Sequence, residues 1–190
     1  MGNLMSDLKK WKISKIDISK AKEFVCENHY SKSLPGCFVY FGFFDQEHLV
    51  GVAAFGSPAM KNQASCYDCD IELRRFCLID ETPKNAESRF LSLTLKELRK
   101  MGFKSVLSLA DPEHGHYGII YRASNFEFLG EEKGGGSRLI IIDQKEIHSR
   151  SAFAKYGTSG INSLKKLLGE DRVSGRNKKR KYVYRFKLNC

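Results

Sequence analysis

The sequence predicts a mixed α/β fold, a sheet with hairpins first and βαβ units later. Three observations carry that reading. Cys37–Phe44 and His48–Phe55 are two apolar, strand-type runs joined by Asp45-Gln-Glu, a strong antiparallel hairpin. Ala86–Met101 presents Phe90, Leu91, Leu93, Leu95 and Leu98 as a helical stripe, and Gly102 stops it. Phe103–Ala110 is an apolar strand running into Asp111–Phe126, a polar segment broken by Gly115 and Gly118. Open sheets take their ligands on segments of that kind, leaving the end of a buried strand.

The other elements follow in order. Trp11–Asp17 alternates apolar and polar well enough for a first strand. Ser19 caps a helix from Lys20 to about His29, with Ala21, Phe24, Val25 and Asn28 on one face. Pro35-Gly36 turns the chain before the hairpin. Residues 61–69 read as a polar loop, and Ile71–Ile79 as another strand. Asn85 caps the long helix. A short helix runs from Gly118 to Ser124. Two closing strands, Glu127–Gly130 and Ser137–Asp143, flank a Gly134-Gly-Gly136 turn, and Thr158-Ser-Gly160 caps a helix from Ile161 to Leu168. Tyr182–Leu188 is the last strand. The composition divides the chain at 146: a body, 1–146, and a basic segment, 147–190, packed on the same domain.

Charge sharpens that division. From Lys145 to Cys190 there are 13 Lys and Arg against 3 Asp and Glu, so the whole net charge of +10 sits in the last quarter. A neutral body with a strongly basic end points to a polyanion, nucleic acid first. No apolar run is long enough to span a membrane and the start lacks a secretory h-region, so a cytoplasmic protein without a membrane partner is expected. The cysteines (Cys26, Cys37, Cys66, Cys69, Cys77, Cys190) then stay reduced, and Cys66-Tyr-Asp-Cys69 lacks a second pair at zinc-finger spacing.

The element order resembles the GCN5-related N-acetyltransferase fold, a mixed, mostly antiparallel sheet flanked by helices, here with a basic C-terminal extension. His29-Tyr30, Glu72-Leu-Arg-Arg75, Ala86-Glu-Ser-Arg-Phe-Leu91, Ala110-Asp111 followed by Gly115-His116 and Ile120-Tyr121-Arg-Ala-Ser-Asn, His148-Ser-Arg150 and Lys181-Tyr-Val-Tyr184 together resemble the bacteriophage Mom DNA-modification family. That resemblance implies transfer of a carbamoylmethyl group to adenine N6 in double-stranded DNA, with the adenine flipped out, in the host cytoplasm, as protection from restriction endonucleases. An acetyl-CoA-dependent N-acyltransferase acting on a protein or small-molecule amine is the alternative. The turn before the long helix, Glu81-Thr-Pro-Lys-Asn-Ala-Glu-Ser-Arg89, lacks the glycines with which acetyltransferases cradle coenzyme A. Acetyl-CoA or another acyl donor therefore stays open, as does iron.

Adenine N6 is a poor nucleophile, so a site acting on it needs a proton acceptor, a proton donor and a means of isolating the base. Asp111 is the candidate base, or alternatively a turn aspartate. Tyr121 matches the tyrosine that serves acetyltransferases as general acid; the alternative is a packed ring. Asp111 and Tyr121, ten residues apart, are assigned to one site. His29 and Tyr30 are assigned to stack on the flipped base or to titrate, unless His29 is only a helix cap. Arg75 is assigned to a carboxylate or phosphate, and Ser88 and Arg89 to an anion at the helix N-terminus. His148, Arg150, Arg176, Lys178, Lys179, Arg180 and Lys181 are assigned to DNA phosphates. His114 and His116, at i and i+2, diverge on a strand and do not face one another on a helix, which argues against a metal pair.

Overall fold

In the computed structural model the structure describes residues 7–59, 63–133 and 138–188, apart from the side chains of Gln63 and Arg138. The Gly134-Gly-Gly136 turn and Cys190 lie outside the described residues. The chain divides into two compact units, one holding the described residues up to Ala110 with Tyr117–Gly130 and the chain from Tyr182 onward, the other holding Asp111–His116 and Glu131–Lys181. This differs from a division at 146, because the final strand returns to the sheet of the first unit. No helix of the described residues is long and apolar enough to cross a membrane.

The first unit is built on a seven-stranded sheet in the order β1-β2-β3-β4-β5-β10-β6. Its strands are β1 Lys12–Lys15, β2 Val39–Asp45, β3 His48–Gly56, β4 Ile71–Leu78, β5 Ser105–Ala110, β6 Glu127–Glu131 and β10 Tyr182–Lys187. The β2–β3 hairpin forms as expected, with Val39 opposite Phe55 and Asp45 opposite His48. β4 and β5 are parallel, linked through helix α3 (Ala86–Lys100). Their ladder runs only from Ile71↔Val106 to Leu73↔Ser108, although β4 goes on to Leu78 and β5 to Ala110. The two strands therefore part at their C-terminal ends, which is where parallel strands offer a ligand crevice.

Helix α3 buries Phe90, Leu91, Thr94, Leu95 and Leu98, a stripe at i, i+1, i+4, i+5 and i+8. Phe90 stacks on Phe43 at 4.8 Å, and Trp11 meets Phe43 edge-on at 5.1 Å, tying α3 to the hairpin. Asn85 stands at the N-cap with φ 70° and makes no side-chain cap bond, so its role is backbone geometry. Helix α1 (Ile18–Asn28) buries Ala21, Phe24 and Val25 but is capped by Asp17, whose carboxylate accepts the Lys20 N–H at 2.8 Å; the expected Ser19 cap lies inside the helix. A short helix α2 (Gln63–Tyr67) occupies part of the stretch read as loop, and α4 (Ile119–Ala123) follows Gly118.

The second unit has a three-stranded sheet, β8-β7-β9, of β7 Arg138–Ile142, β8 Lys145–Ile147 and β9 Val173–Asn177. Asp143 and Gln144 join β7 to β8 at φ 50° and 65°, the two positive values a primed hairpin turn requires. Helices α5 (Ser149–Tyr156) and α6 (Ile161–Leu168) cover the sheet with Ala152 and Leu164 packed on Ile140, Ile142 and Val173. Of these, α6 is predicted from the sequence, whereas β8, α5 and β9 are additions of the structure.

Candidate active site

Where β4 and β5 part, the first unit gathers several of the singled-out residues. Ser108 is the last β5 residue paired with β4, and its hydroxyl is enclosed without a hydrogen bond of ordinary geometry. Tyr121, on α4, is buried between Tyr184 and Phe126, with ring centroids 5.3 and 5.4 Å away. Burial pushes the Tyr121 phenol from the usual 10 up to about 12, and Tyr30, Glu87 and Tyr184 push the same way; the Ser108 hydroxyl opposes them. The phenol therefore holds its proton throughout the physiological range, as a general acid must until its acceptor develops charge.

Tyr30 lies within electrostatic reach of both Tyr121 and Arg75. His29 is the C-cap of α1 and is buried, its N–H donating to the Val25 carbonyl at 3.0 Å and its Nδ1 accepting the Ser31 N–H at 3.1 Å. Its ring lies 4.3 Å from that of Tyr30, which is 47% exposed. The pair is thus a fixed ring carrying an open one, a form suited to stacking.

Arg75 sits on β4 but reaches back, donating from Nε to the Ser33 carbonyl at 2.8 Å and from Nη1 to the Arg74 carbonyl at 2.6 Å. Burial, with help from Arg74, lowers its pKa, while Tyr30, Cys37 and Glu72 oppose. It holds the segment after Tyr30 in place rather than standing open for an anion. At the N-terminus of α3, Arg89 turns away from any ligand and donates to the Lys9 carbonyl at 2.7 Å. Ser88 donates to the Asn85 carbonyl at 3.1 Å, and Glu87 adds an acid to the first turn. With no glycine in the preceding turn, an acid in the first turn and Arg89 withdrawn, these residues do not fit the pyrophosphate cradle of a coenzyme A site.

In the second unit, Asp111 is buried and caps a single 3-10 turn, Pro112–His114, by accepting the Glu113 N–H at 3.1 Å. Its carbonyl receives the His114 and His116 N–H groups, each at 3.1 Å. The other carboxylate oxygen stands 3.7 Å from Lys178 Nζ and 3.9 Å from Lys181 Nζ. Glu113 was not singled out in the sequence, yet it organises the basic run. It pairs with Arg176 through both oxygens at 3.1 and 3.0 Å and accepts the Lys179 N–H at 2.6 Å, while Arg176 also reaches Glu146 at 3.0 Å. The Lys179 hydrogen bond, and Arg176 after it, hold the Glu113 carboxyl below its usual range.

Lys179 and Arg180 are exposed. His148 caps α5, accepting the Arg150 N–H on Nδ1 at 3.1 Å, and both are exposed. Among the described residues no three His, Cys, Asp or Glu side chains converge to hold a metal, so Asp111, His114 and His116 do not make an iron centre. Asp111 and Tyr121 fall in different units.

Comparison with known proteins adds the lineage. The chain is 31% identical over 164 residues to the methylcarbamoylase mom of Escherichia phage Mu, an overlap of 80% of this chain and 67% of that protein. Its fold is shared with a Bacillus subtilis acetyltransferase in complex with CoA (TM-score 0.53, 10% identity, 95% of this chain and 100% of that one). The ribosomal-protein-S18-alanine N-acetyltransferase of Escherichia coli (0.52, 9%, 95% of each chain) and an N-acetyltransferase from Staphylococcus aureus (0.52, 12%, 94% and 97%) share it too. An enzyme of the transferase class on an acyltransferase-like fold is the consequence, and since the family match runs over residues 10–189, the chain belongs to the Mom protein family.

Proposed function

We propose that this protein modifies DNA, transferring a carbamoylmethyl group to N6 of adenine in double-stranded DNA within the host cytoplasm and so protecting it from restriction endonucleases. The observation that carries the reading is the match to the Mom protein family over residues 10–189, and the buried Tyr121 phenol beside Tyr184 and Phe126 supplies a candidate general acid. The net charge of +10 supports a polyanionic substrate.

In the proposed step the bond from N6 to the carbamoylmethyl carbon forms as the donor's bond to that carbon breaks. N6 gives up one proton to solvent, and Tyr121 protonates the departing group. Tyr30, steadied by His29, stacks on the extruded adenine. Lys179 and Arg180, presented by the loop that Glu113 braces, meet phosphates, with His148 and Arg150 adding further contacts. The residues at the start of α3 argue against acetyl-CoA as the donor.

DNA from cells expressing the protein should resist restriction enzymes whose sites contain the modified adenine. Cleavage should return with Tyr121→Phe. Full cleavage of DNA from cells making folded wild-type protein refutes the reading.

A further inference from the structure

We infer that the first unit carries a base-stacking platform, made of Tyr117, Phe128 and Tyr182 with Arg122 beside them, that takes an unpaired nucleobase and its flanking phosphate. This rests on DNA being the substrate and goes beyond the proposed chemistry, in which none of these four residues takes part. Tyr117 and Phe128 are 47% and 49% exposed, and Tyr182 is half-buried. Single exposed aromatics are unremarkable, but these adjoin one another: Tyr117 to Tyr182 at 6.4 Å and Tyr182 to Phe128 at 5.9 Å.

The platform has a rigid base. Phe128 lies 5.2 Å from Tyr184, whose ring is fully buried and whose hydroxyl donates to the Tyr117 carbonyl at 2.8 Å. Arg122 donates from Nε to that same hydroxyl at 3.2 Å and stands 6.0 Å over the Phe128 ring. Arg122 is exposed, and among the described residues no carboxylate pairs with it. An exposed guanidinium that no carboxylate neutralises among the described residues, held beside these rings by the Tyr184 hydroxyl and the Tyr117 carbonyl, matches a nucleotide, which brings a flat ring and a negative charge together. An apolar peptide would leave that cation uncompensated. An enzyme that extrudes an adenine also leaves an unpaired base behind, so DNA under modification supplies such ligands.

The test uses the full-length protein and three fluorescent duplexes: fully paired, with one bulged base, and with an abasic bulge. Wild-type protein should bind the bulged-base duplex roughly tenfold more tightly than the abasic one. Tyr117→Leu with Phe128→Leu should erase that preference and leave affinity for the abasic duplex unchanged. Tyr117→Leu alone, at an exposed ring whose backbone contacts survive, should reduce the preference even if the double variant folds poorly, and Tyr117→Phe should keep it. A preference that persists in the leucine variants, or an equal loss on the abasic duplex, overturns the platform alone. Wild-type protein that binds none of the duplexes overturns the DNA reading with it.

Discussion

The Tyr184 hydroxyl donates to the Tyr117 carbonyl at 2.8 Å while its ring fills the space that a side chain at Gly118 would need. Gly118 also has φ +72°, which costs any other residue further. Two consecutive residues of the turn before α4, Tyr117 and Gly118, thus depend on one side chain. Gly118→Ala should destabilise the protein by roughly 2–4 kcal/mol through backbone strain and overpacking. Urea unfolding checks this, and an unchanged midpoint contradicts it.

Tyr121→Phe removes the proton and keeps the ring. Modified-nucleoside yield should fall by about 10²- to 10⁴-fold, the span of general acid catalysis, while thermal unfolding at neutral pH changes little. The raised pKa adds a second signature. A group whose folded value exceeds its unfolded one contributes fully below the unfolded value, here 10, and loses that contribution as pH rises towards the folded value of about 12. Stability of the native protein should therefore decline over that window, and Tyr121→Phe should flatten the decline.

Glu113 is expected to set the conformation of the basic loop. Its lowered pKa means that the pairing is present above the ordinary glutamate range and is lost as pH falls through the depressed value. Glu113→Gln should lower the hydrogen-exchange protection of the Lys179 amide at neutral pH, and acidification should do the same in the native protein. Unaltered protection in the variant contradicts the assignment.

Lys179 and Arg180 should act as phosphate contacts without reading sequence. Each alanine substitution should reduce the slope of log affinity against log salt by about one, equally on unrelated duplexes. A change confined to one DNA sequence contradicts that role.

The elements read correctly from sequence are those whose burial follows a simple period: the β2–β3 hairpin, the α3 stripe and the apolar β5. β9 escaped because only Val173 of its five residues is buried, leaving no alternation to find. β8 is three residues long, too short to show an alternation, and α5 is capped by a histidine, His148, rather than by a Ser, Thr, Asp or Asn. For the arginines, sequence specified a strand or helix position but not the direction of a long side chain. Arg75 and Arg89 use theirs on backbone carbonyls of Ser33 and Lys9. Ser108 could have been found as a hydroxyl inside an apolar strand, a cost that usually has a purpose. Glu113 left no such trace, because its partners lie more than sixty residues away.

The mass of the modified nucleoside reports the chemistry at adenine. DNA from cells expressing the protein, digested to nucleosides, should contain deoxyadenosine heavier by a carbamoylmethyl group, and Tyr121→Phe should remove that species. Deoxyadenosine of unaltered mass, or a mass increased by an acetyl group, contradicts it.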